Sequence, residues 1–180
     1  VPKWIVGIRA QWLGSQRVGW WEGDVLHVDD AAGGAELLYP EADWPLERVD
    51  DERFVAPSAD GPLFAFSQQE QHSVRLTPEG HHAELRAVLG GDRLLVEISS
   101  HPEGTLFVVS LDGSLADAPM LVFDSSPVQV VVSGDGERAV LTRYENHGSE
   151  MQVEVWVVEL LPQPGTPRRL GPGLRASCAP

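Results

Sequence analysis

A chain of 180 residues with 27 acidic and 13 basic side chains has a formal net charge of −14. That field repels phosphate backbones and anionic headgroups, so it argues against nucleic acid and membrane surfaces as partners. Its one cysteine, Cys178, rules out an intrachain disulfide and a thiolate zinc cluster. No apolar run reaches the ~18 residues of a bilayer span, and neither the charged nor the apolar part of a secretion signal opens the chain. It reads as soluble, without membrane insertion, and its start at Val1 fits a processed protein or a piece of a longer one equally.

Taken in chain order, the sequence falls into four units. Each contains a short polar turn closed by an arginine that opens an apolar run. The first unit, about residues 1–40, has expected strands at Ile5–Leu13, Arg17–Glu22, Val25–Asp30 and Ala35–Tyr39, with Gly14-Ser15-Gln16 before Arg17. The second, about 41–80, has Leu46–Asp50, Arg53–Ser58, Leu63–Ser67 and Ser73–Leu76, with Asp50-Asp51-Glu52 before Arg53. It is the weakest of the four, because Pro57 and Pro62 limit ladder bonding. The third, about 81–124, has Ala83–Leu89, Arg93–Ser100, Thr105–Leu111 and Met120–Asp124, and Gly90-Gly91-Asp92 precedes Arg93. The fourth, about 125–170, has Val128–Ser133, Arg138–Glu145, Met151–Leu160 and Arg168–Leu170, and Gly134-Asp135-Gly136-Glu137 precedes Arg138.

The arginines are 36, 40 and 45 residues apart, and periods near ~40 are the blade length of β-propellers. Period-two alternation with β-branched and aromatic enrichment selects strands over helices, and no stretch of ten residues carries a helical stripe with caps. Val153, Val155 and Val157 fit a strand buried mainly on one face. The expected fold is all-β: four tandem four-stranded antiparallel units in one propeller-like domain over 1–170, followed by a Gly/Pro-rich tail over 171–180. A two-sheet β-sandwich is the alternative.

The Gly134-Asp135-Gly136-Glu137-Arg138-Ala139-Val140-Leu141 turn and strand, with the later Val155-Trp156-Val157-Val158 run, resembles the repeat of TolB-like (PD40, WD40-like) β-propellers. Gly91-Asp92-Arg93-Leu94-Leu95 and Leu106–Gly113 match it more loosely. The resemblance is motif-like in two units and rhythmic in all four. Ser133-Gly134-Asp135-Gly136 stands where that repeat has Ser-Pro-Asp-Gly. The resemblance implies a rigid disk whose faces bind peptides, proteins or small ligands, in some cases as the gate of an attached hydrolase. It also implies a soluble location in the bacterial periplasm or cell envelope; the residues themselves carry no address.

Linear signatures of catalysis are missing. There is no Gly-x-Ser-x-Gly elbow, His-Glu-x-x-His, Walker loop, dinucleotide fingerprint or EF-hand loop, so no catalytic residue, cofactor or metal ligand is assigned. Asp29-Asp30 and Asp50-Asp51-Glu52 are acidic clusters that could hold a cation, but at strand ends and turns they are expected to cap local backbone. Trp12, Trp20, Trp21 and Trp156 are expected to pack in the core, and Trp44 to be a packed loop residue or a recognition residue.

In a four-stranded meander, the loops joining the second strand to the third emerge at the same end as the connectors between units. This places Asp43, Trp44, His81, His82, His101, Glu103, His147 and Glu150 on one loop-rich face. Such a face suits a non-catalytic module that recognises a protein or peptide. The second expectation is a propeller domain of a hydrolase, or one acting as a hydrolase, and the third is metal-dependent binding by the histidines. A closed four-unit ring would be a monomer, which is slightly favoured over a dimer that completes a larger ring.

Overall fold

The computed structural model describes residues 10–13, 17–30, 36–40, 42–43, 46–58, 61–69, 71–100, 103–125, 127, 129–147 and 150–172. Their regular structure is entirely β, in four antiparallel four-stranded sheets, each in sequential strand order. The first sheet holds β1 (Ala10–Trp12), β2 (Arg17–Glu22), β3 (Val25–Asp30) and β4 (Leu37–Tyr39). The second holds β5 (Glu47–Arg48), β6 (Arg53–Pro57), β7 (Leu63–Ser67) and β8 (Ser73–Arg75). The third holds β9 (His82–Val88), β10 (Arg93–Ser100), β11 (Glu103–Ser110) and β12 (Met120–Phe123). The fourth holds β13 (Gln129–Val132), β14 (Arg138–His147), β15 (Glu150–Glu159) and β16 (Arg168–Pro172). The expected four-unit, four-strand grammar therefore holds, and the sandwich alternative does not.

Turn chemistry explains why each unit folds locally. Asp50 Oδ1 accepts from the backbone N–H groups of Glu52 (2.8 Å) and Arg53 (2.7 Å), while Oδ2 accepts from Arg53 Nε at 2.8 Å. Partial burial works against the Asp50 charge, but these bonds outweigh it and hold the carboxyl below its ordinary range. In the fourth unit Asp135 accepts from the Ser133 hydroxyl (2.6 Å) and the Glu137 N–H (3.0 Å), which depresses its pKa in the same way. The third unit uses the left-handed region at Gly91 (φ 66°) and Asp92 (φ 57°), where glycine is free of strain and Asp is tolerated.

These turns also touch one another across sheets. Arg53 bonds Asp92 of the third unit's turn at 2.7 Å. A Cβ on Gly136 (φ 73°) would lie 2.8 Å from Gly90 N, so that position needs glycine both for its backbone angle and for close approach.

Side-chain alternation distributes the core into three seams. Leu13, Leu26, Val28, Tyr39, Ala42 and Leu46 meet Phe54, Ala56 and Phe66 between the first and second sheets. There Phe54 and Phe66 stack at 5.1 Å, and Tyr39 stands edge-on to both. Val55, Leu63, Ala65 and Leu76 meet Ala83, Leu94, Val96, Ile98, Val109 and Leu111 between the second and third. Leu89, Leu95, Leu106, Val108, Val122 and Phe123 meet Ala139, Leu141, Val158 and Leu160 between the third and fourth. Consecutive residues such as Leu94 and Leu95 thus serve opposite seams, because successive side chains of a strand point to opposite faces. Middle sheets buried on both faces read as unbroken apolar runs, and Phe54-Val55-Ala56 and Leu94-Leu95-Val96 are two.

The ends of this arrangement correct three expectations. Among the described residues no seam joins the first sheet to the fourth, so the four sheets do not close on themselves. Trp12, expected in the core, is 60% exposed. It pairs in register with Val18 on the face of the first sheet that points away from the second, where no further sheet covers it among the described residues. In β15 the seam is lined by Trp156 and Val158, with Glu154 in the same alternation and 2% exposed, while Val153, Val155 and Val157 take the outward face half-buried. Glu154 is held inside by ion pairs to Arg143 Nε (3.6 Å) and Arg169 Nη2. Arg143 lies over the rings of Phe123 and Trp156 and donates to Ser125 Oγ at 3.2 Å. The buried carboxylate is thus charge-compensated from two sides, as burial of an ion requires.

Candidate functional site

With β5, β9 and β13 each leading their sheets, the Arg-closed turns lie at one end of the strands and the connectors at the other. The loop-rich end is assembled as the meander requires. Asp43, in the connector before β5, donates its N–H to the carbonyl of Pro57, the last residue of β6, at 2.7 Å. Across the second sheet, Ala83 N–H donates to Gly61 O at 3.0 Å. Gly61 (φ 102°) lies so close to the His81–His82 backbone that a Cβ there would fall 3.1 Å from His82 Cα. Asp43, His81 and His82 therefore flank the loop-rich end of the second sheet, and all three are exposed. By backbone register Glu103 pairs Ser100 and Glu150 pairs His147 at the corresponding ends of the third and fourth sheets. Trp44 and His101 lie outside the described residues. Among those described, no group of three or more His, Cys, Asp or Glu side chains is arranged to hold a metal ion.

Between Asp43 and the histidines the second seam opens into a cavity of about 230 Å³, lined by Glu47, Val55, Pro57, Leu63, Ala83, Glu84 and Leu85. Among the described residues the β5–β6 ladder consists of the pairs Glu47↔Val55 and Arg48↔Phe54, and Asp43 N–H reaches Pro57 O beyond it. Register places the Glu47 side chain on the Val55 face, toward the third sheet. Ala83 and Leu85 form the opposite wall.

The frame of the cavity is tied together by hydrogen bonds. The buried Thr77 hydroxyl accepts from Leu63 N–H at 2.9 Å, Leu76 N–H donates to Leu63 O at 2.8 Å, and Arg75 bonds both Thr77 O (2.9 Å) and Asp117 of the third unit (2.7 Å). Sequence reasoning missed the cavity and Glu47, and no local signal in the sequence marks either.

No family model matches the chain, and no curated protein matches its sequence. Solved structures do match. A puromycin-hydrolysing peptidase of Mycobacterium tuberculosis superposes with a TM-score of 0.58 at 17% identity, over 89% of this chain and 31% of that one. The tricorn protease gives 0.58 at 11% identity, over 86% of this chain and 15% of that one. A putative TolB from Agrobacterium tumefaciens gives 0.48 at 14% identity, over 87% of this chain and 60% of that one. The chain thus spans less than a third of either of the first two proteins. For the first two, at these identities, the likeness is one of fold. The propeller-type architecture holds, while membership of the PD40 repeat family has no matching model behind it.

Proposed function

We propose that this chain is a non-catalytic recognition module of propeller type, which binds a peptide segment of a partner protein at its loop-rich end. One observation carries the reading: an apolar-walled cavity opens at that end of the second seam, between Asp43 and the His81-His82 pair. Ligand pockets combine apolar walls with a few polar groups on a rigid frame, and they commonly occupy ~300–1,000 Å³. A cavity below that range suits one side chain of a peptide better than a whole metabolite.

The test is selection of peptides from a random library on the purified chain, followed by titration of the selected sequences. Combining His81→Ala, His82→Ala and Ala83→Leu, which closes the cavity, is expected to abolish binding. Asp51→Ala with Glu52→Ala, at the opposite end, is expected to leave it unchanged. Binding that survives the first set would show the face to be misassigned.

A second reading, a propeller domain that gates a hydrolase, draws on the likeness to the mycobacterial peptidase. It predicts hydrolysis only when a further catalytic domain is present. Turnover by this chain alone that survives repurification and depends on particular carboxylates would replace the first reading with an enzyme.

A further inference from the structure

We infer that the second-seam cavity receives one cationic side chain, lysine or arginine, of the bound peptide, with Glu47 as its counter-ion. This deepens the recognition reading above and rests on it. The walls Val55, Pro57, Leu63, Ala83 and Leu85 are apolar, and a volume of about 230 Å³ is that of about eight waters at ~30 Å³ each. Such a space holds a single long side chain. Of the two acidic residues in its lining, Glu84 pairs with Glu97 on the opposite face of β9 from Ala83 and Leu85, and its carboxylate lies 3.7 Å from Arg86, which also reaches Glu97 at 3.5 Å. The Glu47 side chain has no ion pair or hydrogen bond among the described residues, and it is exposed on the face that looks across the cavity.

An aliphatic stem against apolar walls with a charged head in water is how lysine and arginine bury themselves. The arrangement here is the complement: apolar depth with one unengaged carboxylate at the mouth. An acidic side chain would meet Glu47 and a molecule of net charge −14, so charge selects against it. An aromatic or aliphatic side chain would leave Glu47 without a partner and gain nothing from the field.

The experiment uses the full chain and a randomised library of N-acetylated, C-amidated hexapeptides, so that no terminal amine competes. The best-enriched peptide is then titrated alongside its norleucine counterpart, against the wild-type chain, Glu47→Gln, Glu84→Gln and Ala83→Leu. Thermal unfolding confirms that each variant is folded. The enriched peptides should share a lysine or arginine. Norleucine and Glu47→Gln should each weaken binding about threefold to tenfold. The second change should cost almost nothing once the first is made, and the loss should shrink at high salt. Glu84→Gln should have no effect, and Ala83→Leu should weaken both peptides alike.

Enriched peptides without a basic residue would overturn the inference and leave recognition standing. So would a basic dependence indifferent to Glu47→Gln. If no peptide is enriched, both readings fall.

Discussion

The second and third seams are built from the same grammar, yet they end differently on the loop-rich side. Between the third and fourth sheets, that end is filled by charge: Arg143 and Arg169 around Glu154, and Arg86 against Glu97, with Arg86 also reaching the Pro127 carbonyl at 3.4 Å. Between the second and third sheets, a cavity stays open with the Glu47 carboxylate in its lining. In the proposed reading, recognition belongs to the seam whose end is left open, and the seam whose end is filled by ion pairs holds the sheets together.

The largest effects should come from the residues that hold the two seams shut. Leu94 and Leu95 are adjacent, fully buried and committed to opposite seams. Each replacement by alanine should cost about 4 kcal/mol, in the upper part of the range for buried leucines, read from urea midpoints at constant slope. Only Leu94→Ala, in the seam with the cavity, should also alter peptide affinity. Equal binding losses from both would erase the distinction between the seams. Next comes Glu154→Ala, which strands Arg143 in the third seam and should cost about 3 kcal/mol. Peptide binding should be unchanged in the folded variant. A cost near zero would mean that the buried charges are not what closes that end.

A smaller pair of effects measures the stacking of turns at the opposite end. Gly136→Ala combines a left-handed backbone with a Cβ 2.8 Å from Gly90 N, whereas Gly91→Ala meets only the backbone term, with nothing within 4 Å. We expect about 2 kcal/mol for the first and about 1 kcal/mol for the second by thermal unfolding. Equal costs would show that the turns of the third and fourth units do not bear on each other.

The smallest effect is acid sensitivity. Hydrogen bonds from Ser110 and Ser114 depress Asp112 to about 2, and Asp50 and Asp135 also lie below their ordinary range. A depressed folded-state pKa contributes stability that is complete above the unfolded value of about 3.9 and is lost as pH falls through the folded value. Melting temperature should therefore drop between about pH 4 and pH 2. Asp112→Asn with Asp135→Asn should make that drop shallower; an unchanged slope would remove these turns from the acid response.

Much of the architecture was legible because turn chemistry is local. Asp50, Gly91-Asp92 and Asp135-Gly136 fix hairpins within a few residues, and Arg17–Glu22, Val25–Asp30, Leu63–Ser67 and Arg93–Ser100 begin and end where alternation placed them. What alternation cannot say is which face of a strand turns inward. Trp12 faces out because its sheet is terminal, and Glu154 faces in because Arg143 and Arg169, distant in sequence, neutralise it. The loop-rich end followed from strand parity, which brought Asp43, His81 and His82 to one place. The cavity did not follow, since it depends on the gap between the second sheet and β9, a distance no local pattern encodes.

The claim that the second seam is the recognition site is tested most directly by methyl and amide NMR of the chain titrated with a selected peptide. The account predicts that perturbations concentrate on the Val55, Leu63, Ala83 and Leu85 methyls and on the backbone of Asp43, His81 and His82, while the Arg-closed turns at Asp50–Arg53, Gly90–Asp92 and Ser133–Arg138 stay fixed. Perturbations centred on those turns, or on the outward valines Val153, Val155 and Val157, would contradict it.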